Sequence, residues 1–259
     1  MTTPRTGRCQ TDPVEHAGYI EAIRRDGDRV ARVVPADIDV PTCPGWTLFD
    51  LYHHLGSVHR WQVAQLDADD PSRLQPAPAV DLPTDPDDLV DWFLDGVDVL
   101  AERLTAVGAS AEVPTWFGPR PAMFWARRAA HETAIHRWDA QAAVASPEPI
   151  DAELAVDGVD ELLENVVPRR LAKDPWPAPA ATIHLHATDD VVGEDEGEGM
   201  IELDGDQVDV RHEHGKGDVA IRASASDLVL VLAGRLPHSR LESFGDATVI
   251  DRWHATVHL

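Results

Sequence analysis

The chain has 259 residues, 43% of them hydrophobic and 26% charged, the composition of a soluble globular protein with room for one large or two modest domains. Asp and Glu number 46 against 22 Lys and Arg, and the resulting formal charge of −24 repels phosphate backbones and anionic lipid surfaces, which argues against nucleic-acid and membrane partners. Two cysteines, Cys9 and Cys43, are too few for a disulfide framework or a thiolate metal cluster, and with no apolar run of about 18 residues and a polar start we expect a cytoplasmic protein.

Apolar periodicity predicts a first helix over residues 12–34, closed by Pro35. Thr47 and Asp50 have the spacing of a capping box, and Leu48, Leu51, Leu55 and Val58 then recur at helical spacing, which predicts a second helix to about residue 66. A Pro- and Asp-rich loop over 67–86 leads to a third helix over 87–107 with Gly108 as its stop, and after a connection over 114–121 a fourth helix spans 122–145. A further helix over 151–167 precedes the Pro-rich stretch 168–179. The period then changes from 3.6 to 2 over 181–187, 200–203, 207–211 and 219–223, predicting strands. Residues 226–236 read as a helix capped by Ser224 or Ser226, and 247–259 has mixed character. The expected class is α+β, with a four-helix bundle over 10–148, a helix and linker over 149–179, and a smaller α/β domain over 180–259.

Chemistry concentrates on the fourth helix. His131 and His136 are five apart, about 140° around the helix, so they do not make the zinc-protease pair; Glu132 and His136 are four apart and share a face with Trp125, Ala129, Ala140 and Ala143. A carboxylate on that small, apolar face needs a cation, a proton or a partner, and Asp139 is placed to orient a ligating imidazole. A buried Glu–His hydrogen bond or an exposed helical face is the alternative reading. Of His53, His54 and His59 on the second helix, His54 borders the apolar stripe beside Leu51 and Val58 and faces the core. His54, Glu132 and His136 would form a two-imidazole, one-carboxylate site with an open position, suited to zinc, nickel or iron(II).

The run Val40-Pro41-Thr42-Cys43-Pro44-Gly45-Trp46-Thr47, followed by Asp50-Leu51 and His54-Leu55, together with residues 131–140 (His-Glu-Thr-Ala-Ile-His-Arg-Trp-Asp-Ala), resembles the mycothiol-dependent maleylpyruvate isomerase family of the DinB-like metalloenzyme superfamily. Ala225-Ser226-Asp227-Leu228, Gly234-Arg235-Leu236-Pro237 and Gly245-Asp246 resemble the C-terminal domain that accompanies this bundle. The resemblance implies a DinB-like four-helix bundle whose core binds a divalent metal, usually zinc, through His54, Glu132 and His136, with the small thiol mycothiol as cosubstrate. It also implies an electrophilic small-molecule substrate, and either S-transfer or maleylpyruvate-type cis-trans isomerisation. A non-catalytic metal-dependent binding or regulatory module on the same bundle is the rival reading.

Cys43 reads as a packed turn residue rather than a nucleophile, and Trp46, Trp61, Trp125 and Trp138 as core before pocket lining. Arg127, Arg128 and Arg137 lie near the site in sequence, but we project them away from the metal face. His184 with His186, and His212 with His214, alternate along strands and could chelate an ion. With no carboxylate clearly beside them, and the acidic stretch 194–198 suited to solvent, we read them as polar strand faces.

Overall fold

A computed structural model describes residues 15–177, 179–189 and 197–257, which fall into two compact units divided between Ile150 and Asp151. The class is α+β as expected, a helical bundle followed by a sheet unit. Cys9, residues 190–196 and the starts of the predicted first helix and bundle lie outside the described residues, as does the end of the segment over 247–259.

The first unit is built from α1 (His16–Ala31), α2 (Leu48–Leu66), α3 (Pro86–Val107) and α4 (Met123–Val144), with α1 packed on α3 and α4, and α2 on the same two helices. Local chemistry sets the helix ends. The Thr47 hydroxyl accepts from the Asp50 amide at 3.3 Å while the Asp50 carboxylate accepts from the Thr47 amide at 2.8 Å, so the capping box starts α2 two turns before His54. Asp85 caps α3, and Gly108 ends it with φ of 77°, a conformation open to glycine without strain. α1 stops at Ala31, short of the expected residue 34, where the Tyr52 hydroxyl of α2 reaches the carbonyls of Val30 at 2.8 Å and Val33 at 2.7 Å.

The connection before α4 is ordered as a hairpin that periodicity did not reveal: β1 (Glu112–Thr115) pairs antiparallel with β2 (Gly118–Pro121) around Trp116 and Phe117. Its strands are too short to show alternation. It delivers Trp116 against Trp61 and Trp125, whose indole N–H donates to the Pro114 carbonyl at 2.9 Å.

In the second unit α5 (Ala152–Glu161) continues through a wide π turn over Leu162–Val166 into α6 (Val167–Leu171). The helix runs past the expected end at residue 167, although Pro168 lacks an N–H and its ring crowds the preceding turn. The π register just before the proline opens that turn, and the helix passes through it. This helix belongs to the sheet unit, with α5 packed on α7 and α6 on β5. The sheet has the order β5-β4-β3-β6-β7, from β3 (Ala181–Ala187), β4 (Glu198–Asp204), β5 (Gln207–Arg211), β6 (Val219–Ala223) and β7 (Glu242–Gly245). Neighbouring strands are antiparallel except β3 and β6. β7 is a further strand that the sequence pattern missed. α7 (Ala225–Leu232) is capped by Ser224, whose hydroxyl accepts from the Asp227 amide at 3.2 Å, and α8 (Thr248–Thr256) closes the unit. Among the described residues no helix is long and apolar enough to cross a membrane.

The helix pair α1–α4 carries a buried charge contact. Asp26 and Arg137 are each 1% exposed and approach to 3.4 Å, with Arg25 at 3.0 Å and Arg29 at 3.3 Å on the same carboxylate. Arg137 also donates to the carbonyls of Glu148 and, at 3.1 Å, Pro149, tying the end of the unit to α4. Removing one partner strands the other in a dry environment. Asp26→Ala is expected to lower the unfolding free energy by about 3–5 kcal/mol, read from urea denaturation; a loss below about 1 kcal/mol contradicts this account of the α1–α4 contact.

Candidate metal centre

α4 carries Glu132 and His136 one turn apart, and α2 brings His54 to the same place. His54 Nε2 lies 3.0 Å and His136 Nε2 3.4 Å from the same atom, Oε1 of Glu132, and the ligand atoms of the three residues lie within 4.8 Å of one another. Their side chains are 34%, 19% and 7% exposed for His54, Glu132 and His136, so the cluster is sealed at α4 and reached past His54.

Each member is held by a further partner. His136 Nδ1 lies 2.9 Å from Asp139, whose carboxylate also accepts from the Thr42 hydroxyl at 2.5 Å and the Cys43 thiol at 3.5 Å. With Nδ1 donating to Asp139, Nε2 of His136 is turned toward Glu132. The other oxygen of Glu132 takes Arg128, one turn earlier on α4. Arg128 had been projected away from this face. Four residues of helix amount to a full turn plus about 40°, which leaves Arg128 beside Glu132, while Arg137 does point away, to Asp26.

The turn before α2 covers the site. Backbone bonds from Cys43 to Val40 at 3.0 Å and from Trp46 to Cys43 at 3.0 Å close it, and Gly45 supplies the left-handed residue with φ of 84°. This geometry places Thr42 and Cys43 on Asp139, so Cys43 is a packed turn residue that also orients the carboxylate. It lays the Trp46 ring 4.8 Å from that of His54 and 5.9 Å from that of His136. Trp125 and Trp138 are buried as core residues, whereas Trp46 is a wall of the site.

Electrostatics follow from the same contacts. Burial acts to raise the Glu132 pKa, but the Arg128 guanidinium and the bonds from His136 and His54 outweigh it and hold the carboxyl well below its usual range. Burial also acts to lower the His136 pKa, against which the bonds to Asp139, Cys43 and Glu132 raise it well above the ordinary imidazole value. His59, farther along α2, is fully buried with its Nε2 3.0 Å from the Thr133 hydroxyl, and burial pushes its pKa down to about 3. It therefore faces the core as a neutral ring, which the selection of His54 alone did not foresee. His53 is held outside by the Pro83 carbonyl at 2.8 Å, and His131 packs edge-on to Tyr19.

Residues 20–141 match the model of the mycothiol maleylpyruvate isomerase N-terminal domain, and residues 153–252 that of the corresponding C-terminal domain. The chain belongs to the mycothiol maleylpyruvate isomerase family. Among solved structures it is similar to a mycothiol-dependent maleylpyruvate isomerase, with a TM-score of 0.59 and 16% identity over 88% of this chain and 92% of that one. A histidine-to-alanine mutant of a protein so named gives 0.60 and 15% over the same shares. These likenesses show the shared fold. No curated protein matches the chain in sequence.

In this family member the strand histidines of the second unit also depart from expectation. Glu198, at the start of β4, is the carboxylate thought to be missing: it meets His184, His186 and His214, while His212 approaches Asp160 at 3.7 Å instead.

Arg128 pairs with the Glu132 carboxylate inside the bundle site and is the nearby charge that acts most to lower its pKa. In metal-free protein, Arg128→Met is expected to cost about 2–4 kcal/mol with Glu132 present and much less beside Glu132→Gln, measured as a double-mutant cycle in urea. Equal costs in the two backgrounds contradict the pairing.

Proposed function

We propose that this chain is a mycothiol-dependent enzyme that holds a divalent metal, Zn2+ by the chemistry of its donors, on His54, Glu132 and His136. The observation that carries the reading is the convergence of two imidazole nitrogens on one carboxylate oxygen at 3.0 and 3.4 Å. Ligands about 2.0–2.2 Å from a tetrahedral zinc stand roughly 3.3 Å from one another, so these residues fit such an ion with small adjustments. Two imidazoles and one carboxylate also leave a position for another ligand, the pattern of catalytic rather than structural sites.

When bound, the cation lowers the pKa of a thiol at its open position, so that thiolate is available at neutral pH. The protein's own groups do the positioning. Asp139 fixes the tautomer of His136, and Thr42 and Cys43 fix Asp139. Arg128 occupies one oxygen of Glu132 and leaves the other facing the histidines. Trp46 stands against both imidazoles and walls that side of the site. The cosubstrate reaches the centre past His54, the most exposed of the three.

The thiolate sulfur then bonds to an electrophilic carbon. With a cis-enoyl acid, the former double bond becomes single, rotates, and is restored as trans when the same thiol leaves, with no net change in atoms. With a substrate bearing a leaving group, the new S–C bond remains and the group departs with its bonding pair. The first outcome is maleylpyruvate-type isomerisation, supported by the names of the structural relatives; the second is S-transfer, the broader class. Use of an intracellular thiol makes the cytoplasm the expected location.

Metal analysis tests the ligand set. Purified His54→Ala and His136→Ala are expected to contain one equivalent less metal than wild type, and Asp139→Asn to bind it about 10–100-fold more weakly; unchanged metal content in both histidine variants overturns the site. Incubating metal-loaded enzyme and mycothiol with a panel of electrophiles and with cis-enoyl acids tests the reaction. Conjugate or trans product formed only with intact His54 supports the enzyme, and turnover of neither substrate class favours the non-catalytic module.

A further inference from the structure

The second unit contains a cluster of donors that the bundle chemistry does not use. Along β3, Ile183 and Leu185 are buried on one face of the sheet, and His184 and His186 alternate with them onto the other. In the antiparallel register His186 stands directly opposite Glu198 and His184 opposite Met200, so Glu198 is the cross-strand partner of one histidine and the diagonal neighbour of the other. His186 Nδ1 lies 2.6 Å from Glu198 Oε1, and His184 Nε2 lies 3.3 Å from Oε2. A third imidazole comes from the connection between β5 and β6: His214 Nδ1 lies 2.6 Å from the same Oε2. Its ring stands 5.1 Å from that of His184, nearly perpendicular.

Backbone packing builds this approach. A Cβ on Gly217 would lie 2.7 Å from the Val219 carbonyl and 2.9 Å from the His184 amide, so only glycine lets the connection press onto β3 there. The next residue is pinned: Asp218 accepts from the Thr182 amide at 2.7 Å and hydroxyl at 2.8 Å, and its own amide donates to that hydroxyl at 2.8 Å. Gly215 rests over Met200, with 3.1 Å between its would-be Cβ and the Met200 sulfur. The segment carrying His214 is thus fastened to the sheet at residues beside the cluster, although the His214 side chain itself is 80% exposed.

We propose that His184, Glu198 and His214 form a second divalent-cation site. Their ligand atoms lie within 4.8 Å of one another, and two imidazole nitrogens with one carboxylate oxygen suit zinc, nickel or copper(II). Oε2 of Glu198 faces the two proposed imidazole ligands, while His186 holds Oε1 and orients the carboxylate, the part an outer partner plays at metal centres. Because the ligands come from β3, β4 and the β5–β6 connection, an ion there ties that connection to the sheet, and its role is structural. The site lies in the unit from Asp151 onward and does not depend on the bundle reading.

The test uses the full chain carrying His54→Ala and His136→Ala, which removes the bundle ligands, titrated with Zn2+ against a chromophoric chelator. One equivalent of Zn2+ is expected to bind, with a rise in melting temperature. Adding His214→Ala, a change at an exposed side chain, is expected to weaken binding by more than about tenfold and to abolish the rise. If the double variant does not fold, the same readout is His214→Ala binding one equivalent fewer than wild type, whatever the bundle holds. Folded double variant that takes up no Zn2+ at micromolar free metal, or His214→Ala that retains its zinc unchanged, overturns the site and shows that the cluster is hydrogen-bonded only. Loss of the bundle metal alone leaves this result untouched.

Discussion

A carboxylate on an otherwise small, apolar helix face is the constraint from which the bundle site follows. Glu132 is flanked along α4 by Ala129, Trp125 and Ala140, all fully buried, and an unpaired charge there is costly by several kcal/mol. Its side-chain partners recorded among the described residues, Arg128, His54 and His136, are each cationic or able to donate. Arg128 takes one oxygen, and His54 and His136 face the other. The oxygen that the arginine leaves is the one aimed at the two imidazole nitrogens, so a single ion pair both neutralises the helix face and presents a donor atom.

The rest of the bundle can be read as support for that geometry. Capping by Thr47 and Asp50 fixes where α2 begins, and hence the turn from which His54 projects. The chain entering that cap folds back so that Thr42 and Cys43 reach Asp139 and Trp46 reaches both imidazoles. A segment of eight residues thereby starts a helix, orients a histidine through an aspartate and closes one wall of the site. The contact between Arg137 and Asp26 holds α1 against the opposite side of α4, away from the chemistry.

The convergence of His54, Glu132 and His136 was legible in the sequence because it rests on two local rules: helical spacing joins Glu132 to His136, and the apolar stripe of α2 selects the side on which His54 lies. The capping box and Gly108 were legible for the same reason. What stayed hidden depends on partners distant in sequence or on small departures from ideal geometry. Thr42 and Cys43 meet Asp139 across almost a hundred residues, so no window contains both. Pro168 is tolerated only because a π turn precedes it, and the hairpin at Trp116 is too short to set a period. Glu198 looked like one acid in a solvated run until strand register put it opposite His186. Arg128 was missed differently, since its four-residue spacing to Glu132 was as visible as that of His136.

The two clusters share a chemistry, two imidazoles and one carboxylate, yet differ in setting. That of the bundle is recessed beneath an aromatic ring with one histidine toward the opening, whereas that of the sheet has one histidine whose side chain is mostly exposed. The first suits a reacting ligand and the second a structural tether. The central claim concerns the first: a metal held by His54, Glu132 and His136 accepts the thiol of mycothiol. Cobalt(II)-loaded protein titrated with mycothiol and followed by absorption tests it most directly. The account predicts a new near-ultraviolet sulfur-to-cobalt band that saturates with the thiol and is absent from His54→Ala; mycothiol that leaves the cobalt spectrum unchanged, or an identical band in His54→Ala, would contradict it.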